Sequence, residues 1–175
     1  MIVQSKILSK QECDSILELT NNHEFKKSKA SYSNGEASKN FRTSLDIEIP
    51  TPKIVEDILK PKLIEYGIDS LPSTIVVLKY TKGKEFKRHT DSGELFPHRL
   101  KTLSIQLSDK DEYTGGDFLI FKSKGKEVLF EKTLGNMVLF DSDREHLVTP
   151  ILSGTRYAMV MWFTDSNFIK QKSII

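Results

Sequence analysis

Arg99-Leu100-Lys101-Thr102-Leu103-Ser104-Ile105-Gln106-Leu107-Ser108 is the stretch on which the fold turns. Successive side chains on a strand point to opposite faces. Leu103, Ile105 and Leu107 therefore share one face, and Thr102, Ser104 and Gln106 share the other. The apolar face requires a cover. The polar face is either turned to solvent or lines a wet pocket inside the molecule, and the alternation alone leaves both open.

Strand patterns continue on either side. Upstream, residues 74–80 are rich in β-branched side chains. Downstream come 117–121 after Gly115-Gly116, then 127–131 after the turn Ser123-Lys124-Gly125-Lys126. Residues 136–140, 146–152 and 155–163 complete seven short strands with no helical pattern between them. Such a run predicts an antiparallel sandwich or barrel.

The N-terminal part reads differently. Ser9-Lys10-Gln11-Glu12 is a capping-box sequence, and Cys13, Ile16, Leu17 and Leu19 extend it to a helix over about 10–21. A polar stretch over 26–41, with Asn34-Gly35 as a turn signal, predicts a long exposed loop suited to a lid or groove cover. Residues 42–49 alternate as a half-buried strand. Pro50 and Pro52 then open a second helix, with Pro61 kinking or dividing it and Gly67 ending it. The fold class expected is mainly β with flanking helices (α+β), the two N-terminal helices packing on one sheet. One domain over 1–175 is expected, with helical support over 1–72, a core over about 74–164 and a peripheral tail from Asn167.

Composition narrows the function. With 38% hydrophobic and 29% charged residues, the 175-residue chain reads as soluble and globular. No apolar run approaches the ~20 residues of a membrane span. Met1-Ile2-Val3-Gln4-Ser5-Lys6 lacks a signal-peptide pattern. Cys13 is the single cysteine, so an intrachain disulfide is excluded and a reducing, cytoplasmic setting is expected. A net charge of +2 gives no strong nucleic-acid signal. Lysines cluster at Lys26, Lys27 and Lys29, and again at Lys82, Lys84, Lys87 and Arg88, where an anionic substrate would be favoured.

The chemistry centres on His89 and Asp91, two residues apart and so on one face of an extended segment. His146, just past the turn Asp141-Ser142-Asp143-Arg144-Glu145, supplies a third donor. Two imidazoles and a carboxylate are the facial ligand set of non-haem Fe(II) oxygenases, although zinc hydrolases use the same three groups. Arg156 discriminates. It shares a strand face with Ala158, Val160 and Trp162, where burial without an anion is costly, and its planar fork suits a carboxylate.

These residues carry a resemblance. Tyr80-x-x-Gly83-x-x-Phe86-x-x-His89-x-Asp91, then Thr102 to Asp109 with Gly115-Gly116-Asp117, resemble in order the motifs of the iron(II)- and 2-oxoglutarate-dependent oxygenases. The closing segments Gly135 to Phe140, His146-x-Val148-x-Pro150 and Gly154-x-Arg156-Tyr157-Ala158 resemble that superfamily too, in its prolyl 4-hydroxylase-like branch. The resemblance implies a double-stranded β-helix, or jelly roll, with His89, Asp91 and His146 on iron. It implies that Arg156 pairs with the distal carboxylate of 2-oxoglutarate, with Tyr80, Gln106 and Thr102 in the co-substrate shell.

The implied reaction hydroxylates a C–H bond, foremost of a prolyl residue in a peptide or protein, using O2 and releasing succinate and CO2. Ascorbate as reductant comes with the same resemblance. A free amino acid or other small molecule is the alternative substrate, and a non-catalytic metal-binding jelly roll the alternative class. Phe86 and Gln106 stand where relatives often carry tyrosine, so the co-substrate shell departs from the pattern. Nucleic-acid dealkylating relatives carry a second arginine where Trp162 stands. Arg42, Arg88 and Trp162 are the candidate substrate contacts, Arg42 because Arg42-Thr43-Ser44 resembles a segment framing the substrate groove.

Overall fold

The computed structural model describes residues 1–28, 41–122 and 125–169. Among them the chain runs β1 (Ile2–Lys6), α1 (Lys10–Glu18), β2 (Lys26–Lys27), β3 (Leu45–Pro50), α2 (Lys53–Leu63), β4 (Thr74–Tyr80) and β5 (Phe86–His89). Then follow β6 (Lys101–Gln106), β7 (Tyr113–Gly115), β8 (Phe118–Phe121), β9 (Glu127–Leu129) and β10 (Asn136–Asp141). The chain closes with β11 (His146–Val148), β12 (Ile151–Gly154) and β13 (Arg156–Phe163).

The main sheet has the order β1-β10-β6-β13-β4-β3-β2. A second sheet, β5-β11-β8-β9, faces it, and β12 pairs with β7. The pairings around the centre are antiparallel, with β6 between β10 and β13 and β13 between β6 and β4. This is the expected jelly roll.

Alternation along the strands divides the interior into two cores. On one side Ile75, Val77, Leu103, Ile105, Met137, Leu139, Met159 and Met161 pack against Cys13 and Ile16 of α1 and Val55, Leu59 and Leu63 of α2. The helices are therefore the layer the sequence calls for, and each fully buried aliphatic side chain contributes roughly 1.5–3 kcal/mol. On the other side Leu78, Tyr80, Val138, Phe140 and Val160 meet Phe118, Ile120 and Val148 from the second sheet. The functional cavity lies in this second layer.

Local chemistry sets the element ends. The capping box forms, with Ser9 Oγ accepting from Glu12 N and Glu12 Oε2 accepting from Ser9 N. α1 stops at Glu18, short of the expected 21, because the Thr20 amide and hydroxyl both donate to the Leu17 carbonyl and tighten the chain into a turn. α2 runs through Pro61 undivided. That proline sits on the exposed side of the last turn, where loss of one amide donor costs least. A 3₁₀ turn, Ile64–Tyr66, follows and ends at Gly67 with φ +78°, a left-handed position suited to glycine.

Two strands differ from expectation. Residues 146–152 split at Thr149-Pro150 into β11 and β12, which belong to different sheets. Pro150 has no amide to continue a ladder, and its carbonyl instead accepts from Gly116 N. The strand expected over 42–49 begins at Leu45. Arg42 makes only an isolated bridge to Phe86, and Thr43 exchanges hydrogen bonds with Glu85. Of the expected 26–41 loop, 29–40 fall outside the described residues, as do 123–124 of the predicted turn and 170–175 of the tail.

Candidate active site

His89 ends β5 and His146 begins β11, and the two are paired in register across the second sheet. Asp91 lies two residues beyond the end of β5. Its amide donates to the Ser142 carbonyl at 2.9 Å, which ties the segment after β5 to the turn after β10. The donor atoms of His89, Asp91 and His146 all lie within 4.8 Å of one another. His146 Nε2 is 3.4 Å from Asp91 Oδ2, and His89 Nε2 is 3.6 Å from Asp91 Oδ1.

The backbone decides which ring nitrogens face this centre. His89 Nδ1 is 2.7 Å from the Lys87 carbonyl and His146 Nδ1 is 2.9 Å from the Arg144 carbonyl. A carbonyl only accepts, so each Nδ1 carries the proton and each Nε2 presents a lone pair to the centre. Phe86 stacks on His89 with ring centroids 3.5 Å apart and fixes the plane of that imidazole. The Thr102 hydroxyl donates to Asp91 Oδ2 at 2.8 Å and lies 3.0 Å from the Ser142 hydroxyl.

Charge states follow from these contacts. Burial alone would raise the Asp91 carboxyl, but His146 and His89 beside it, with the Thr102 hydroxyl, hold it well below the usual carboxylate range. Burial brings the His146 imidazole down to about 4, against the opposing pull of Asp91. Near neutral pH the His146 imidazole is therefore neutral and Asp91 is a carboxylate, the states in which both can take a divalent ion.

The triad sits in the wall of a cavity of about 430 Å³, its open mouth included. Among the described residues, four buried polar atoms lack a hydrogen-bond partner: Tyr80 Oη, His89 Nε2, Arg156 Nε and Trp162 Nε1. All four residues line this one cavity. An unsatisfied buried donor or acceptor costs about 1–3 kcal/mol, so this concentration is a feature that a bound group would relieve. His89 Nε2 fits a metal ion. Tyr80 and Arg156, paired in register on β4 and β13, offer donors at the closed end.

Arg156 is 2% exposed, and its guanidinium carbon lies 5.4 Å from the Tyr80 ring centroid. Its stem is approached by Gly116 (φ +62°), where a Cβ would meet Arg156 Cδ at 3.3 Å and Ile151 Cδ1 at 2.4 Å. Gly116 thus leaves room for Ile151 and this arginine, while Gly115 lets the chain pass close to Pro150 and Leu152. Burial pushes the Tyr80 phenol up, against the pull of the Arg42 and Arg156 charges, so it is a protonated donor.

The sequence-predicted residues divide. His89, Asp91, His146, Arg156, Tyr80, Thr102, Arg42 and Trp162 line the cavity together. Gln106 is buried beside it with its amide nitrogen committed to the Ser108 carbonyl and the Tyr113 hydroxyl. Arg88 lies apart, paired with Glu145 and placed over the Phe121 ring. Arg42 is engaged by Asp46 at 3.3 Å, the Ser44 hydroxyl at 3.2 Å and the face of Phe86. Sequence reasoning missed Ser142 and Arg99. Ser142 had a signal, its place in the polar turn before His146, whereas Arg99 had none in periodicity.

A jelly roll holding two histidines and a carboxylate in a buried cavity defines a class of metal-dependent oxygenases. The chain belongs to the 2OG-Fe(II) oxygenase superfamily, whose family model matches residues 75–164. That membership implies Fe(II), 2-oxoglutarate and O2, and the donor set here fits such an ion.

A PKHD-type hydroxylase of Stutzerimonas stutzeri is 30% identical over 145 residues, covering 76% of this chain and 63% of that protein. One from Prochlorococcus marinus is 30% identical over 111 residues, covering 63% of this chain and 48% of that protein. The chain spans about half the length of the curated relatives it matches. Among solved structures, a Pseudomonas putida prolyl-4-hydroxylase superposes with TM-score 0.71 at 17% identity, over 93% of this chain and 91% of that one. A Trichoplax adhaerens prolyl hydroxylase in complex with a hypoxia inducible factor peptide gives 0.74 at 18%, over 95% and 83%. These two share the fold.

Proposed function

We propose that the protein is an Fe(II)- and 2-oxoglutarate-dependent dioxygenase that hydroxylates a C–H bond of a prolyl residue in a peptide or protein. The observation that carries this is the gathering on one cavity of the triad with the unpartnered buried donors of Tyr80, Arg156 and Trp162. His89, Asp91 and His146 hold the ion. When bound, the iron supplies the oxidising chemistry that converts O2 and 2-oxoglutarate to succinate and CO2 and delivers oxygen to the substrate.

The residues around it bind and orient. The Arg156 fork takes the distal carboxylate, and the Tyr80 hydroxyl donates to the same group. Six residue steps along β13, about 20 Å, separate Arg156 from Trp162, which leaves room for a keto acid at one end and a substrate at the other. Ala158, Val160, Leu78 and Val148 give the walls between them an apolar surface that excludes water. Ascorbate serves as the reductant in this reading. The peptide substrate is supported by the peptide held in the Trichoplax relative.

Anaerobic titration with Fe(II) and 2-oxoglutarate tests the assignment. A weak visible charge-transfer band is expected, and it should vanish in Asp91→Ala. No band in the wild type, or an undiminished one in that variant, would sink the oxygenase reading. Succinate release above the uncoupled background, with prolyl peptides against free proline, tests the substrate.

A further inference from the structure

Ser142 directly follows β10 and is fully buried. Its carbonyl accepts from the amides of Asp91 at 2.9 Å and Ser92 at 3.0 Å, and its own amide donates to the Leu100 carbonyl at 3.0 Å. Three segments therefore meet on this one residue: the stretch after β5 that carries Asp91, the approach to β6, and the turn that leads to His146. Within that turn the Arg144 amide donates to the Asp141 carbonyl, and the Arg144 carbonyl lies 2.9 Å from His146 Nδ1. The backbone of Ser142 thus joins the segments that carry two of the three donors.

The side chain continues the link. Ser142 Oγ lies 3.0 Å from Thr102 Oγ1, and Thr102 Oγ1 donates to Asp91 Oδ2 at 2.8 Å. A hydroxyl has one proton, and an ionised carboxylate only accepts. With the Thr102 proton engaged by Asp91, the Ser142 proton points to Thr102. The order is Ser142 to Thr102 to Asp91, and each bond in such a chain polarises the next. Both hydroxyls are buried, a place where alanine and valine would carry no demand for partners.

We infer that Ser142 is a positioning residue for the ion. It holds Asp91 by the amide directly and by the carboxylate through Thr102, so the carboxylate stands in its binding orientation before the ion arrives. This rests on the reading of His89, Asp91 and His146 as the ion site. Fixing one carboxylate orientation in advance removes an ordering cost from the binding step. Thr102 then serves a ligand of the ion, and its loss is felt with no 2-oxoglutarate present.

Co(II) is the probe, because its visible absorption reports the geometry of its donors. It is titrated into the metal-free protein without 2-oxoglutarate. Thr102→Val keeps the shape and removes the hydroxyl, so Co(II) binding should weaken about 10–100-fold, with a shifted spectrum. Thr102→Ser should restore both. Ser142→Ala keeps the main-chain bonds and removes only the head of the chain, and should weaken binding about threefold to tenfold. Ser142→Cys, with its weaker donor, should fall between Ser142→Ala and the wild type. Because Ser142 acts through Thr102, Ser142→Ala should leave the Co(II) affinity of Thr102→Val unchanged.

Losses that fail to add across the two positions, with the spectrum rescued by Thr102→Ser, support the proposal. Losses that add overturn it. So does a Co(II) affinity that Ser142→Ala and Ser142→Cys leave unchanged, even with a lower Tm in the metal-free protein, since that marks Ser142 as packing alone. A wild type that takes up no Co(II) is the separate failure of the ion-site reading.

Discussion

The two faces of the main sheet are built from the same strands, one residue out of step. Toward the helices β4, β6, β10 and β13 present Ile75, Val77, Leu103, Ile105, Met137, Leu139, Met159 and Met161, all buried in one apolar core. Toward the second sheet β4, β6 and β13 present Leu78, Tyr80, Thr102, Ser104, Arg156 and Trp162 around the cavity. The first face gains free energy with each side chain it covers. The second carries unpartnered donors that each cost about 1–3 kcal/mol until something binds them. Alternation lets one strand serve both ends: the neighbour that stabilises sits next to the neighbour that reacts.

That division is broken most severely from the cavity side. His146→Ala removes one of the three donors we assign to the ion, and turnover should fall by well over the ~10–100-fold that loss of an outer partner costs. The fold should persist, because His146 contributes to the layer that the helices do not touch. Circular dichroism of the native kind together with loss of iron binding would meet the expectation; global unfolding would show that the two faces are not separable. Arg156→Ala comes next. The 2-oxoglutarate KM should rise about 100-fold through loss of a charge-assisted, bidentate contact, with Fe(II) affinity nearly unchanged. Parallel loss of both affinities would contradict the assignment of this arginine to the far end of the keto acid.

The reciprocal change falls on the helix face. Ile105 is fully buried and makes no contribution to the cavity lining. Ile105→Ala should cost about 2–5 kcal/mol through lost burial and a residual void. In a chain of this size that lowers Tm by roughly 2–4 °C per kcal/mol. The KM for 2-oxoglutarate, measured well below the new Tm, should stay within about twofold. A tenfold rise would show that strain crosses β6 from one face to the other.

How much of this was legible follows the same division. Alternation over 102–107 announced two unlike faces, and β4 was readable end to end from its β-branched run. Pairing a polar face with His89, Asp91, His146 and Arg156 then favoured a lined pocket over a solvent face. What escaped was contact set by the fold rather than by periodicity. β1 is a short edge strand whose partner, β10, lies some 130 residues later, so nothing local marks it. Thr102 reads as a cavity residue, yet its hydroxyl is on Asp91. Gln106 reads as its neighbour on the same face, yet its amide nitrogen turns to Ser108 and Tyr113. Arg99 heads the alternating stretch but lies in the loop before β6, which starts at Lys101, and only packing brings it onto Phe96 and Trp162.

The smallest expected effect concerns Cys13, at the centre of the helix side. Burial, with Asp14 and Glu12 adding to it, pushes this thiol from an ordinary 9.0 up to about 11. A raised folded value means that folding favours the protonated thiol. Its share of stability is therefore complete below about pH 9 and lost as pH rises toward 11. At pH 8 the native thiol is both protonated and covered, so an aromatic disulfide reagent should reach it only through opening of the helix layer. Labelling should then be slow in the wild type, faster in Ile105→Ala, and slower still with Fe(II) and 2-oxoglutarate bound, because ligands hold the closed state. Fast labelling that neither Ile105→Ala nor the ligands alter would mean that α1 opens independently of the sheet. The two faces would then share strands without sharing a cooperative unit, and the helix layer would no longer be what holds β6 and β13 in place behind the iron site.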